Sequence, residues 1–207
     1  MKICVVGGTG NISTGIVNQL LKQGHDVFCF NRGINGFVSH GAHSLIGDRN
    51  DQRFFEKVIQ DANFDFAIDM VCMNASQASS SIRAFKGVKH FIMCSTVSTY
   101  GVNRDFSPVT EDHPIRPTTE NGRNKANADD VFRDAHKKNG FPVTILKPST
   151  TYGPKMGLLR QISTDFSWID RIRKNKPILI CDDGSAKCQF MHVDDAALIF
   201  SSILGKK

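Results

Sequence analysis

A parallel β-sheet with helices on both faces, a doubly wound α/β fold, is predicted by three observations. Apolar, β-type runs alternate with helix-length segments along the chain. The first of these runs passes through "GGTGN" directly into apolar positions at helical spacing. A length of 207 residues suits one well-buried α/β domain with a small appendage and is too short for two full domains.

Residues 3–6 read as the first strand, and Ile12, Ile16, Val17, Leu20 and Leu21 then fall on one face of a helix that Gly24 stops. "DVFCF" (26–30) supplies the second strand, and a third precedes "GDRND". "FDFAIDMV" (64–71) and "HFIMCS" (90–95) supply further strands. A helix is expected from 120 to about 139, because acidic residues come early, Lys137 and Lys138 come late, and Gly140 follows. "PVTILKP" (142–148) returns to the sheet. Residues 153–187 read as an excursion with a helix at 168–174 and a short strand at "PILIC" (177–181). "FMHVDDAALIFSSIL" then reads as a closing helix with Asp194 near its start. The expected organisation is therefore a sheet-and-helix unit at 1–152, an excursion at 153–187, and a return to the first unit at 188–207.

Composition narrows the function classes. At 40% hydrophobic and 22% charged residues, with no membrane-length apolar run and no leader pattern in "MKICVVGG", the chain reads as cytoplasmic, with no membrane partner. Six cysteines (Cys4, Cys29, Cys72, Cys94, Cys181, Cys188) form no C-x-x-C pair and are expected to be reduced core residues. The seven histidines lack an H-x-x-x-H pair, so no metal site is expected. The net charge of +6 is dispersed, which suits a phosphorylated small molecule as well as it suits nucleic acid.

Gly7 and Gly10 fit the first two positions of a G-x-x-G-x-x-G turn, where absent side chains let backbone N–H groups and a helix N-terminus approach a pyrophosphate. The third position is Ser13. Directly after a first strand, this turn favours dinucleotide binding over a plain structural turn. The second strand ends in Asn31 and Arg32 with no acid to engage a free ribose 2′-hydroxyl. The arginine suits the 2′-phosphate of NADP, with NAD as the alternative. Asp48 follows the third strand, where it could face the adenine amino group or simply close a turn.

"GGTGNIS", "FNRG", "GDRND", "CSTVSTYG", "G-R-N-K", "LKPSTTYGP" and "FMHVDD" occur in this order over essentially the whole chain. In that order the chain resembles the extended and atypical short-chain dehydrogenase/reductase family, in particular its nucleotide-sugar epimerase/dehydratase branch. The resemblance implies a Rossmann-like sheet with a shortened C-terminal substrate subdomain. It also implies a nucleotide-sugar or related substrate, and a homodimer through the helices beside the central strand. For the cofactor it implies Gly7, Thr9, Gly10, Asn11, Ile12, Asn31, Arg32, Asp48, Arg49, Met70, Val71, Cys72, Lys125 and Pro148. Thr96 would hydrogen-bond the substrate oxygen, and Thr150 would face the sugar.

The family's Y-x-x-x-K pair places a tyrosine general acid/base and a lysine on one helical face. Here it reads Asn121 and Lys125. The chain has two tyrosines; Tyr100 is followed four positions later by Arg104 and Tyr152 by Met156, so neither restores the pair. An amide donates and accepts hydrogen bonds but cannot shuttle a proton near neutral pH. Three readings follow: an NADP-binding, dehydrogenase-like enzyme with an altered proton path; a pseudoenzyme that keeps the dinucleotide site; and, last, an RNA binder supported only by basic charge.

Overall fold

The computed structural model describes residues 1–34, 36, 38–155, 167–180, 183–185 and 187–206. Five strands and their helices alternate through the first half: β1 (Lys2–Val6), α1 (Asn11–Lys22), β2 (Asp26–Asn31), β3 (His43–Ile46), α2 (Gln52–Ala62), β4 (Phe66–Asp69), α3 (Ala75–Ala84) and β5 (His90–Cys94). A 3₁₀ turn at Val97–Tyr100, the long α4 (Glu120–Asn139) and β6 (Val143–Leu146) follow. All six strands pair in parallel in the order β3-β2-β1-β4-β5-β6. The doubly wound sheet is therefore as expected.

Each face of the sheet buries its own core. On one side α2, α3 and α4 cover a phenylalanine-rich layer, in which Phe30 meets Phe55 edge-on at 5.0 Å and Phe91 meets Phe132 at 5.2 Å. On the other, α1 and α6 (Val193–Ile203) close over Ile3, Val5, Ile68 and Ile92. Covering on both faces explains why the central strands read as continuous apolar runs and not as alternating ones.

The helix signals act as the sequence suggests. Thr119 caps α4 by accepting from Gly122 N–H at 3.1 Å, and Gly140 ends it in the left-handed region at φ 66°. Gly122 is also a point of close approach: a Cβ there would lie 2.7 Å from the Ser98 carbonyl oxygen. The absent side chain lets the first turn of α4 sit against the 3₁₀ turn that carries Thr96 at its start.

The second region departs from expectation in two places and meets it in one. Residues 177–180 form no strand; they are exposed, and the Pro177 carbonyl accepts from Arg171 Nε at 2.6 Å where a ladder bond would be needed. An apolar β-type run without a strand beside it does not become one. Residues 190–192 are not helical: β8 (Phe190–His192) pairs in parallel with β7 (Thr150–Tyr152), and the helix begins only at Val193, where His192 Nδ1 accepts from Asp194 N–H. The helix expected at 168–174 is α5 (Ser167–Arg173).

Cys4, Cys29, Cys72 and Cys94 are buried free thiols, and burial pushes Cys29 and Cys72 up to about 12 and Cys94 to about 11. Cys188 is free but exposed, because it lies in the run entering β8 and not inside the sheet. Cys181 lies outside the described residues.

Candidate functional site

Strand order reverses between β1 and β4, and a crevice opens at the carboxyl ends of the strands at such a switch point. A cavity of about 280 Å³ lies there. Gly7, Thr9, Gly10, Asn31, Arg32, Asp48, Arg49 and Val71, all expected at a cofactor, line it together.

Gly7 holds φ at +87°, and a Cβ on it would lie 2.5 Å from Val71 Cγ1. The turn therefore needs a glycine both for its backbone angle and for its closeness to the end of β4. The N-terminus of α1 carries no acidic residue in its first turn, which leaves its partial positive charge available to an anion. Both polar side-chain atoms of Asn11, in that same turn, are buried without a hydrogen-bond partner. A ligand bearing donors and acceptors would remove that deficit. Backbone geometry, helix terminus and the orphaned Asn11 Nδ2 fit the pyrophosphate of a dinucleotide, and Oδ1 fits a donor such as a ribose hydroxyl.

At the end of β2 the Asn31 side chain accepts from Gly33 N–H at 2.8 Å and shapes the loop that presents Arg32. Arg32 is exposed, with no hydrogen bond or ion pair among the described residues. Arg49 is different. Its guanidinium is buried and donates to Asp69 Oδ2 at 2.8 Å, the Gln77 carbonyl at 2.9 Å and Ser81 Oγ at 2.9 Å. Arg49 thus lines the cavity while its two terminal nitrogens are held by this network and its buried Nε has no partner, and Asp48 accepts from Asn50 N–H in a local turn. Asp69, Gln77 and Ser81 were not singled out from the sequence, although a carboxylate inside "FAID" already requires a buried partner.

Ile12 and Met70 pack against the core beneath the turn, and Cys72 is fully buried with its thiol near the Asn74 carbonyl. These three shape the cleft from behind and do not line the cavity.

The expected catalytic residues lie at the ends of β5 and β6. Thr96 begins the 3₁₀ turn, its hydroxyl within 3.2 Å of Ser98 Oγ and of Ser98 N. Lys125 is buried and its Nζ donates to the Cys94 carbonyl at 2.7 Å, so the ammonium is aimed at the end of β5 and not at solvent. Asn121, one turn earlier on α4, is exposed and makes no hydrogen bond among the described residues. Pro148 accepts from Val97 N–H at 3.2 Å, and with Thr150 it lines a second cavity of about 850 Å³ beside β6.

Neither tyrosine lies on α4: Tyr100 ends the 3₁₀ turn and Tyr152 ends β7. Burial pushes the Tyr100 hydroxyl up from its ordinary value, the opposite of activation, and Tyr152 packs edge-on against His192 at 5.1 Å. Behind Thr96 lies a polar network that sequence reasoning missed. Asp129 accepts from Ser95 Oγ and from Lys147 Nζ, Lys147 also donates to Thr99 Oγ1, and Thr99 donates to the Thr96 carbonyl. Asp129 follows Lys125 by four positions, so one face of α4 carries both; that spacing was the available signal. Among the described residues no helix is long and apolar enough to cross a membrane.

Known proteins resemble this chain over its whole length. The model of the NAD dependent epimerase/dehydratase family matches residues 3–84 and 73–207. The 2′-dehydrokanamycin reductase of Streptomyces kanamyceticus is 25% identical over 205 residues, covering 99% of this chain and 58% of the relative. The chloroplast stem-loop binding protein of 41 kDa b of Arabidopsis thaliana is 25% identical over 221 residues, covering 100% of this chain and 56% of that protein. The chain thus spans little more than half the length of either. Among solved structures, dTDP-glucose 4,6-dehydratase of Bacillus anthracis in complex with NAD superposes with a TM-score of 0.80 at 19% identity, covering 100% of this chain and 72% of that one.

Proposed function

This chain belongs to the NAD dependent epimerase/dehydratase family, and from that premise we propose that it binds NADP(H) and takes a nucleotide-linked sugar or related carbonyl compound as substrate. The observation that carries the reading is Arg32, an exposed guanidinium with no described partner at the rim of a cavity formed by the glycine turn and the ends of β2 and β4. No carboxylate stands at Asn31 to repel a 2′-phosphate.

The bound nicotinamide would supply the hydride acceptor and donor. Around it, the Thr96 hydroxyl would hold the substrate oxygen. Lys125 has ammonium protons beyond the one given to Cys94, and these would hold the nicotinamide ribose. Pro148 would border the ring and Thr150 the sugar. Asn121 occupies the position of the proton-transferring phenol and can orient an oxygen without moving a proton. A second reading, a dinucleotide-binding pseudoenzyme, is favoured by that residue and by the raised Tyr100 hydroxyl. RNA binding rests on basic charge and on the likeness to a stem-loop binding protein, and ranks behind both.

Titration with NADPH and NADH tests the proposal. NADPH binds more tightly, and Arg32→Ala costs about 1.5–3 kcal/mol for NADPH, the range for a hydrogen bond to a charged group, while leaving NADH affinity unchanged. Equal affinities for the two cofactors in the unmodified protein would overturn the NADP assignment.

A further inference from the structure

Lys155 lies three residues beyond β7, in the second region of the chain, yet its ammonium reaches back to the glycine turn. Nζ donates to the Thr9 carbonyl at 3.0 Å and to Thr14 Oγ1 at 2.9 Å, across 146 and 141 positions of sequence. Thr9 lines the cavity at the switch point, and the Thr14 hydroxyl in turn donates to the Gly10 carbonyl at 2.8 Å. The lysine is therefore fastened to both ends of the turn that opens α1.

Electrostatics works against this placement, and an anion between the two positive groups would turn the repulsion into attraction. A helix N-terminus carries roughly +0.5 of an elementary charge, and a cation beside it is repelled. The first turn of α1 holds no acidic residue, and the carboxylate packed beside it, Asp194 of α6, 3.9 Å from the Cβ position of Gly15, pairs with His192 and not with Lys155. Among the described residues Lys155 makes no ion pair, and its hydrogen bonds go to neutral oxygens only. The buried Asn11 amide in the same turn also lacks a partner. Two positive groups and an unsatisfied amide nitrogen thus lie at one helix terminus, and a pyrophosphate, with one negative charge on each phosphate, answers all three.

We propose that Lys155 is a diphosphate-binding residue that closes over the glycine turn from the second region and clamps the pyrophosphate of the dinucleotide. This rests on the dinucleotide-binding reading above and adds a ligand that the glycine turn does not itself contain. The same diphosphate chemistry could come from a nucleotide-sugar substrate. Attachment to Thr9 and Thr14 assigns the residue to the cofactor.

The test compares native protein, Lys155→Met and Lys155→Arg for binding of NADPH, of 2′-AMP, which lacks the pyrophosphate, and of UDP. Lys155→Met should weaken NADPH by about tenfold, the low end for a charge-assisted contact at an exposed lysine, and leave 2′-AMP unchanged. Lys155→Arg should recover most of the loss, and the difference should shrink as ionic strength rises. Arg32→Ala, by contrast, should weaken both NADPH and 2′-AMP. Equal NADPH affinity in native and Lys155→Met protein would overturn the clamp while the dinucleotide reading stands. A loss confined to UDP would move the residue to the substrate and overturn it as well. Absence of NADPH and NADH binding in native protein would overturn both inferences.

Discussion

The crevice at the ends of β1, β2 and β4 and the cavity beside β6 are built in different ways. At the first, a buried Arg49–Asp69 pair is enclosed by Gln77 and Ser81, and the glycine turn offers backbone to a ligand, with the unpaired Arg32 guanidinium and the side chains of Asn31, Asn50 and Met73 around it. At the second, every residue of β6 is only half-buried at the edge of the sheet, and the polar groups are side chains whose roles depend on individual identity. A site made of backbone tolerates much sequence change. One made of a single phenol does not survive its loss. Under the proposed function, cofactor binding and proton transfer are therefore separable, and Asn121 marks the line between them.

Restoring the phenol should erase the difference, and this is the largest expected effect. Asn121→Tyr places a hydroxyl one helical turn from Lys125. It should raise single-turnover oxidation of bound NADPH with small ketones or keto-sugars by roughly 10²–10⁴, the contribution of a positioned general acid. Turnover by native protein that is fast and insensitive to Asn121→Ala would place the proton donor elsewhere and end the pseudoenzyme reading.

Stability offers the second comparison. Asp69→Ala leaves the Arg49 guanidinium buried without its counter-charge and should cost about 3–5 kcal/mol in urea unfolding. Asp129→Ala should cost less, because Lys147 opens onto the cavity beside β6 and can be reached by water. Equal losses would show that the catalytic end is as closed as the cofactor end.

The smallest effect lies far from both cavities and separates stability from ligand binding. His90, at the start of β5, accepts from Gly205 N–H at 2.9 Å through Nδ1 and faces Thr144 Oγ1 through Nε2, an arrangement that needs the neutral ring. Burial lowers its pKa from the ordinary 6.5. Above about pH 6.5 both folded and unfolded chains carry a neutral ring, and the full contribution is present. As pH falls below that value the unfolded chain takes up the proton first, so stability drops until the folded pKa is passed. Thermal unfolding from pH 7.5 to 5.5 should show this decline, and it should be smaller in His90→Gln, with NADPH affinity at neutral pH unchanged. An identical decline in the variant would assign it to other groups.

Much of the cofactor end could be read directly from the chain. "GGTGN" after an apolar run specifies strand, turn and helix because each signal acts within a few residues, and α4 begins and ends where Thr119 and Gly140 place it. The second region resisted such reading. "PILIC" has strand composition, but its described residues have no ladder, and "FMH" reads as part of a helix until β7 pairs with it. Strand formation there depends on a partner about forty positions away, and composition holds no record of the partner.

Periodicity, glycine placement and capping chemistry determined by themselves the doubly wound sheet, the turn at Gly7 and Gly10 and the arginine after the second strand, and the family resemblance set against the sequence added the Asn121 in place of a Y-x-x-x-K tyrosine. These are local properties, set by backbone sterics and side-chain spacing within one or two turns. Tertiary structure alone decided that Arg49, in the cavity lining, serves Asp69, that Lys125 points at the Cys94 carbonyl, and that Lys155 returns to Thr9. Each of those contacts joins distant positions through the order and register of a parallel sheet, and the free energy that selects them is the burial of whole faces and not the preference of any residue.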